Sequence, residues 1–126
     1  MVTYRAPVDD MMFLFEKLRD NSNYNSLEKY KEVNPDLAKD ILEQAAKLTE
    51  NLILPLAKTG DETPAKLENG IIRTPPGYKE AYKKFIDDGW VSLSCDPEYG
   101  GQGMPKTISS FFDEMLSAAS LSFKLY

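Results

Sequence analysis

The chain has 126 residues, 42% of them hydrophobic and 28% charged, with a net charge of −5 and a pI near 4.8. That length is one domain's worth and the apolar share is enough for a core, while the acidic balance excludes the broad basic surface on which non-specific nucleic-acid binding depends. With no histidine there is no Ser-His-Asp or Cys-His nucleophile, no histidine zinc motif and no histidine general base, and the single cysteine permits no internal disulfide.

Residues 1–7 read as extended, because Pro7 biases Ala6 away from helix. Asp9 and Asp10 complement a helix N-terminus, and Met11, Leu14, Phe15 and Leu18 recur at i, i+3, i+4 and i+7, the pattern of a short amphipathic helix docked on its own domain. The apolar run from Met11 to Phe15 is far too short to cross a bilayer and lacks a small-residue cleavage site. A soluble, cytoplasmic protein without a membrane span is therefore expected. The polar stretch 21–26 ends the helix, and Ser26 can cap a further turn through Tyr30.

Asn34-Pro35-Asp36 combines a capping side chain, a proline at the first helical position and a first-turn acid, so a long helix is expected to open here. Leu37, Ile41, Ala45, Leu48, Leu52 and Leu56 step along one face, which Leu42 and Ile53 widen. Pro55 ends or kinks this helix, and 60–64 reads as loop, in which the neighbouring Asp61 and Glu62 are solvated rather than catalytic. Asn69-Gly70 fits the turn of a small hairpin. Thr74-Pro75 opens the next helix, with Tyr78, Ala81, Tyr82, Phe85 and Ile86 inward, and Gly89 stops it in a left-handed cap.

An elbow comes next. Trp90, Val91 and Leu93 can anchor it in a core, and Pro97, Gly100, Gly101, Gly103 and Pro105 forbid regular structure until a last helix begins. Gly100-Gly101-Gln102-Gly103 is a turn and not a phosphate loop, since no lysine with Ser/Thr comes after it at the required spacing and no strand precedes it. Cys95 lies beside acids, an unsuitable setting for a nucleophilic thiolate. Asp87 with Asp88, and Asp113 with Glu114, are neighbours in sequence and point apart on a helix. No catalytic, cofactor-binding or metal residue is assigned.

The last helix is amphipathic through Ile108, Phe111, Phe112 and Met115, then apolar or small nearly all round from Met115 to Phe123, which suits a helix enclosed on several sides. Left at a surface it would forfeit about 25 cal/mol per Å² of apolar area. The chain stops without a C-cap, so further protein is expected beyond Tyr126, the competing expectation being self-association through this helix. Taken together the elements read as an all-α, small helical bundle with one short hairpin.

Several runs carry a resemblance. Tyr4, Ala6, Pro7, Asp10, Met11 and Phe13 match the Tyr-x-Ala-Pro-x-x-Asp-Met-x-Phe start of a branch of the acyl-CoA dehydrogenases with a long N-terminal extension. Leu67-Glu68-Asn69-Gly70, the run from Thr74-Pro75-Pro76-Gly77-Tyr78 to Tyr82, Gly89-Trp90, and Asp96 to Pro105 follow the same branch in order. Glu114-Met115, Phe123 and Leu125-Tyr126 resemble its next helix. The resemblance implies an extension over residues 1–34 with its short amphipathic helix, and over 35–126 the family's N-terminal helical domain, truncated at its last helix. It also implies a whole enzyme that removes two hydrogens across the α and β carbons of an acyl-CoA thioester. There a carboxylate takes the α proton, FAD accepts the β hydride, and an electron-transfer flavoprotein reoxidises the flavin. FAD would be held mostly by a following β domain, and a helical C-terminal domain would help form a homo-oligomer. The catalytic glutamate would lie beyond Tyr126. The isolated chain would then bind no flavin and be inactive, contributing one wall of the acyl-chain cavity. By the same resemblance, Ser120, Phe123 and Lys124 are the substrate-binding positions. The branch commonly has Asn at Ser120 and a small residue at Lys124, so this lysine must snorkel outward or find a partner. The alternative, from a different class, is a stand-alone helical protein-interaction module that binds through its final helix.

Overall fold

The described residues of the computed structural model are 3–125, the side chain of Asn21 excepted, so the extended expectation at Met1 and Val2 and the helix end at Tyr126 fall outside them. The order is α1 (Val8–Phe13), α2 (Asn21–Asn25), α3 (Pro35–Leu48), α4 (Leu54–Glu62), β1 (Lys66–Glu68), β2 (Ile71–Arg73), α5 (Tyr78–Asp87) and α6 (Lys106–Lys124). It is an all-α fold with one antiparallel hairpin. Met11 and Met12 of α1 and Phe15 just after it share one core with Leu42 and Ala45 of α3, Leu56 of α4, Tyr78 and Ala81 of α5, and the inner face of α6.

Two π-helical turns, Leu14–Leu18 after α1 and Thr49–Ile53 between α3 and α4, alter the faces that regular periodicity predicts. A π turn carries one residue more than an α turn and so rotates every later residue about the helix axis. Leu18, at the end of the first such turn, stands exposed at 72%, Leu14 is exposed as well, and Met12, ahead of the turn, is buried beside Met11. On α3 the buried line runs Ala38, Leu42, Ala45, Thr49, while Leu37 is exposed and Ile41 only partly covered. Ile53, at the end of the second π turn, and Leu56 after it are buried, as their place on the predicted face requires.

The start of α3 is as expected. The Oδ1 of Asn34 accepts the Leu37 N–H at 2.9 Å, with Pro35 at the first helical position. The loop expected at 60–64 is not found over its first three residues, since α4 continues to Glu62 and ends at Thr63. Leu54 N–H bonds to the Thr49 carbonyl, five residues back, so Pro55 comes directly after the π turn, at the first positions of α4.

In the hairpin Leu67 pairs with Ile72 across a turn in which Asn69 (φ 52°) and Gly70 (φ 78°) are both left-handed, the geometry that an Asn-Gly pair favours. The helix expected from Thr74-Pro75 begins later, at Tyr78, because Gly77 is left-handed (φ 84°) and a Cβ there would meet Leu56 at 2.9 Å. Its inner face is narrower than expected: Tyr78 and Ala81 are buried, but Tyr82 (46%) and Ile86 (43%) are exposed. In the elbow Leu93 is buried, Trp90 packs against the core, and Val91, expected as a third anchor, is exposed. Backbone bonds from Gln102 to Ser92, Gly103 to Cys95 and Met104 to Leu93 tie the loop to itself and aim α6 back across α3 and α4.

Candidate functional site

The end of α6 is the site that the resemblance points to. Its inner face, Ile108, Phe112, Met115, Leu116, Ala119 and Phe123, is buried, while Leu121 and Leu125 are exposed on the other side. The helix thus buries one side of its apolar second half and leaves the other uncovered, where sequence predicts enclosure on several sides.

Within α6 the backbone breaks at Ser120 (φ −161°, ψ 97°). The Ser120 hydroxyl accepts the Phe123 N–H at 3.3 Å and so caps the final turn as an N-cap serine would. Ser120 Oγ lies 3.2 Å from Ser122 Oγ, and Ser122 Oγ lies 2.6 Å from the Tyr78 hydroxyl, which donates a long bond (3.5 Å) to the Leu56 carbonyl.

Around this break runs a chain of rings. Trp90 and Phe112 have centroids 4.7 Å apart, Phe112 and Phe85 5.9 Å, Phe85 and Phe123 6.0 Å edge-on, and Phe123 and Tyr78 5.7 Å. Stacked, tilted and edge-on pairs of this kind add a little beyond the area that they bury.

Two grooves flank the end of the helix. One, of about 520 Å³, lies between β2 and α5 and is lined by Ile72, Arg73, Thr74, Tyr78, Lys79, Tyr82 and Phe123. The other, of about 260 Å³, lies between the elbow and α6 and includes Phe85, Trp90, Phe112, Asp113 and Lys124. The three positions singled out in the sequence are therefore near one another without lining one cavity. Phe123 is buried and faces the first groove, Lys124 faces the second with its ammonium 3.7 Å from the Asp113 carboxylate, and Ser120 is buried at the break itself. Lys124 both reaches outward and stands beside a carboxylate, the two outcomes expected of a lysine at this position. Sequence reasoning missed Tyr78 and Ser122 as polar partners of the break. Tyr78 stood out only as one of several apolar-face tyrosines, and nothing local shows that its hydroxyl reaches a serine 44 residues away.

Elsewhere the electrostatics are structural. Burial, then the nearby Glu114 and Glu50 carboxylates, pushes the Tyr4 phenol above its ordinary range. The Glu98 N–H, then Lys29, holds the Asp96 carboxyl below its usual value. Among the described residues no group of three His, Cys, Asp or Glu side chains is placed to hold a metal ion, and no helix is long and apolar enough to cross a membrane.

No protein-family model matches the chain. It is 41% identical over 98% of its length to a 3-methylmercaptopropionyl-CoA dehydrogenase of Ruegeria pomeroyi, and 26% identical over its whole length to a broad-specificity linear acyl-CoA dehydrogenase of Mycobacterium tuberculosis. It spans about a fifth (21%) of the length of each of these relatives. Essentially the whole chain, folded as a small helical bundle, is thus similar to about a fifth of two acyl-CoA dehydrogenases.

Proposed function

We propose that the chain serves as the N-terminal helical domain of a longer, cytoplasmic, FAD-dependent acyl-CoA dehydrogenase, residues 1–34 being its extension and 35–126 the domain proper. The observation that carries this is the match of 98% and 100% of the chain to about a fifth of two dehydrogenases. Bound in the whole enzyme, FAD would accept the hydride from the β carbon. The chain's own share is to shape and dry one wall of the acyl-chain cavity with the end of α6, where Ser120, Phe123 and Lys124 stand. Support comes from the apolar, aromatic floor around Phe123 and from the exposed Leu121 and Leu125, which leave α6 an uncovered side for the rest of the enzyme. The proton-abstracting glutamate, most of the flavin contacts, the subunit contacts of a homo-oligomer and docking of an electron-transfer flavoprotein belong to other parts of that enzyme.

The test compares protein of this length with protein continuing past residue 126. Flavin absorbance and acyl-CoA oxidation with an artificial electron acceptor are read on both. The shorter protein should be colourless and inactive and the longer one yellow and active. Stoichiometric flavin and turnover on the 126 residues alone would overturn this allocation, and a gene ending at codon 126 would favour a stand-alone interaction module.

A further inference from the structure

The break at Ser120 is capped by the serine's own hydroxyl but is not forced by any helix-breaking residue. Residues 106–124 contain no proline and no glycine, and Ala118 and Ala119 are strong helix formers, so the intrinsic preference is for an unbroken helix. A single direction of donation through the hydroxyls satisfies each in turn. Phe123 N–H gives to Ser120 (3.3 Å), Ser120 to Ser122 (3.2 Å), Ser122 to Tyr78 (2.6 Å), and Tyr78 to the Leu56 carbonyl (3.5 Å). Tyr78 is itself fixed at both ends. Its ring is buried and faces that of Phe123, and its hydroxyl lies against Gly60, where any Cβ would stand 2.4 Å from the phenolic oxygen.

We propose that Tyr78 is a positioning residue that holds the break in α6 through Ser122 and so sets how Phe123 closes the groove between β2 and α5. Resting on the proposed dehydrogenase function, this makes Tyr78 a determinant of which acyl chains the cavity wall admits. The Tyr78 hydroxyl anchors the final turn to α4 and α5, and an α6 freed of that anchor straightens, swinging Phe123 off the groove floor.

The test uses Tyr78→Phe, which keeps the ring, and Ser122→Ala, which alters a residue on the exposed side of α6. In the 126-residue chain the Cα and Cβ chemical shifts of Ser120 report its backbone conformation directly. Both variants should move these shifts from extended towards helical values, and the effects of the two should be less than additive in the double variant, because each breaks the Tyr78–Ser122 bond through which the anchor acts. Ser120 shifts that stay extended in both variants would overturn the proposal. In the longer enzyme, Tyr78→Phe should change the ratio of KM for short and long acyl thioesters by roughly threefold or more while kcat is kept, the scale of one net hydrogen bond. An unchanged ratio would overturn the specificity role. Absence of acyl-CoA oxidation by the unsubstituted enzyme would instead sink the dehydrogenase function, with the Ser120 shifts still deciding the positioning.

Discussion

Tyr4 shows what a single side chain contributes when its polar atom is stranded. Its hydroxyl is buried with no hydrogen-bond partner among the described residues, and burial together with Glu114 and Glu50 raises its pKa from 10.0. Replacing a buried hydroxyl that pairs with nothing removes a desolvation penalty, so Tyr4→Phe should be neutral or stabilising by up to about 1 kcal/mol in urea unfolding near pH 7. Its pH dependence has a definite sign. Above pH 10 the unfolded tyrosine has lost its proton while the native one keeps it, so the unfolded state binds fewer protons and stability falls as pH rises through the raised native value. Tyr4→Phe should lose that part of the alkaline decline, and an identical decline in both proteins would refute the assignment. Gly101 marks the opposite extreme, because a Cβ there would stand 2.1 Å from the Cys95 carbonyl oxygen, backbone against backbone. Gly101→Ala should cost about 2–3 kcal/mol, whereas Gly100→Ala, with open space but a left-handed φ of 82°, should cost about 1–2 kcal/mol. Thermal melts of the two variants side by side would separate steric from conformational cost.

At the scale of elements, capping and turn chemistry is local and carries through directly. Asn34 caps α3 through Leu37, and Asn34→Ala should lower stability by about 1 kcal/mol, read as a lower urea midpoint at unchanged slope. The Asn69-Gly70 turn, the stop at Gly89 and the elbow from Pro97 to Pro105 were equally legible, since each rests on the conformational limits of one or two residues. Helical faces were less so. The predicted stripe running on to Leu18 assumed an uninterrupted period that the first π turn breaks, while on α3 the buried line runs through Ala38, Leu42 and Ala45 instead of Leu37 and Ile41, ahead of the second π turn. Thr49 illustrates the reason. Its hydroxyl bonds back to the Ala45 and Ala46 carbonyls where the second π turn begins, and it is completely buried, a place that no periodic scan gives to a threonine.

At the scale of the whole molecule, the segment ahead of α3 is part of the core. Met11 and Phe15 are nearly completely buried, and the Ala6 N–H is bonded to the Glu50 carboxylate at 2.8 Å. Phe15→Ala should therefore cost about 3–5 kcal/mol. Removal of residues 1–34 should lower both the urea midpoint and the slope, because less surface is buried on folding, and an unchanged transition would refute that integration. By itself the sequence determined the helical class, the caps, the hairpin turn and the elbow, because each depends on neighbours within a few residues. Only the tertiary structure decided which faces are buried, that Phe123 and Lys124 look into different grooves, and that α6 breaks at Ser120. Those depend on contacts such as Tyr78 with Ser122, formed between residues far apart in the chain, whose geometry no local preference encodes.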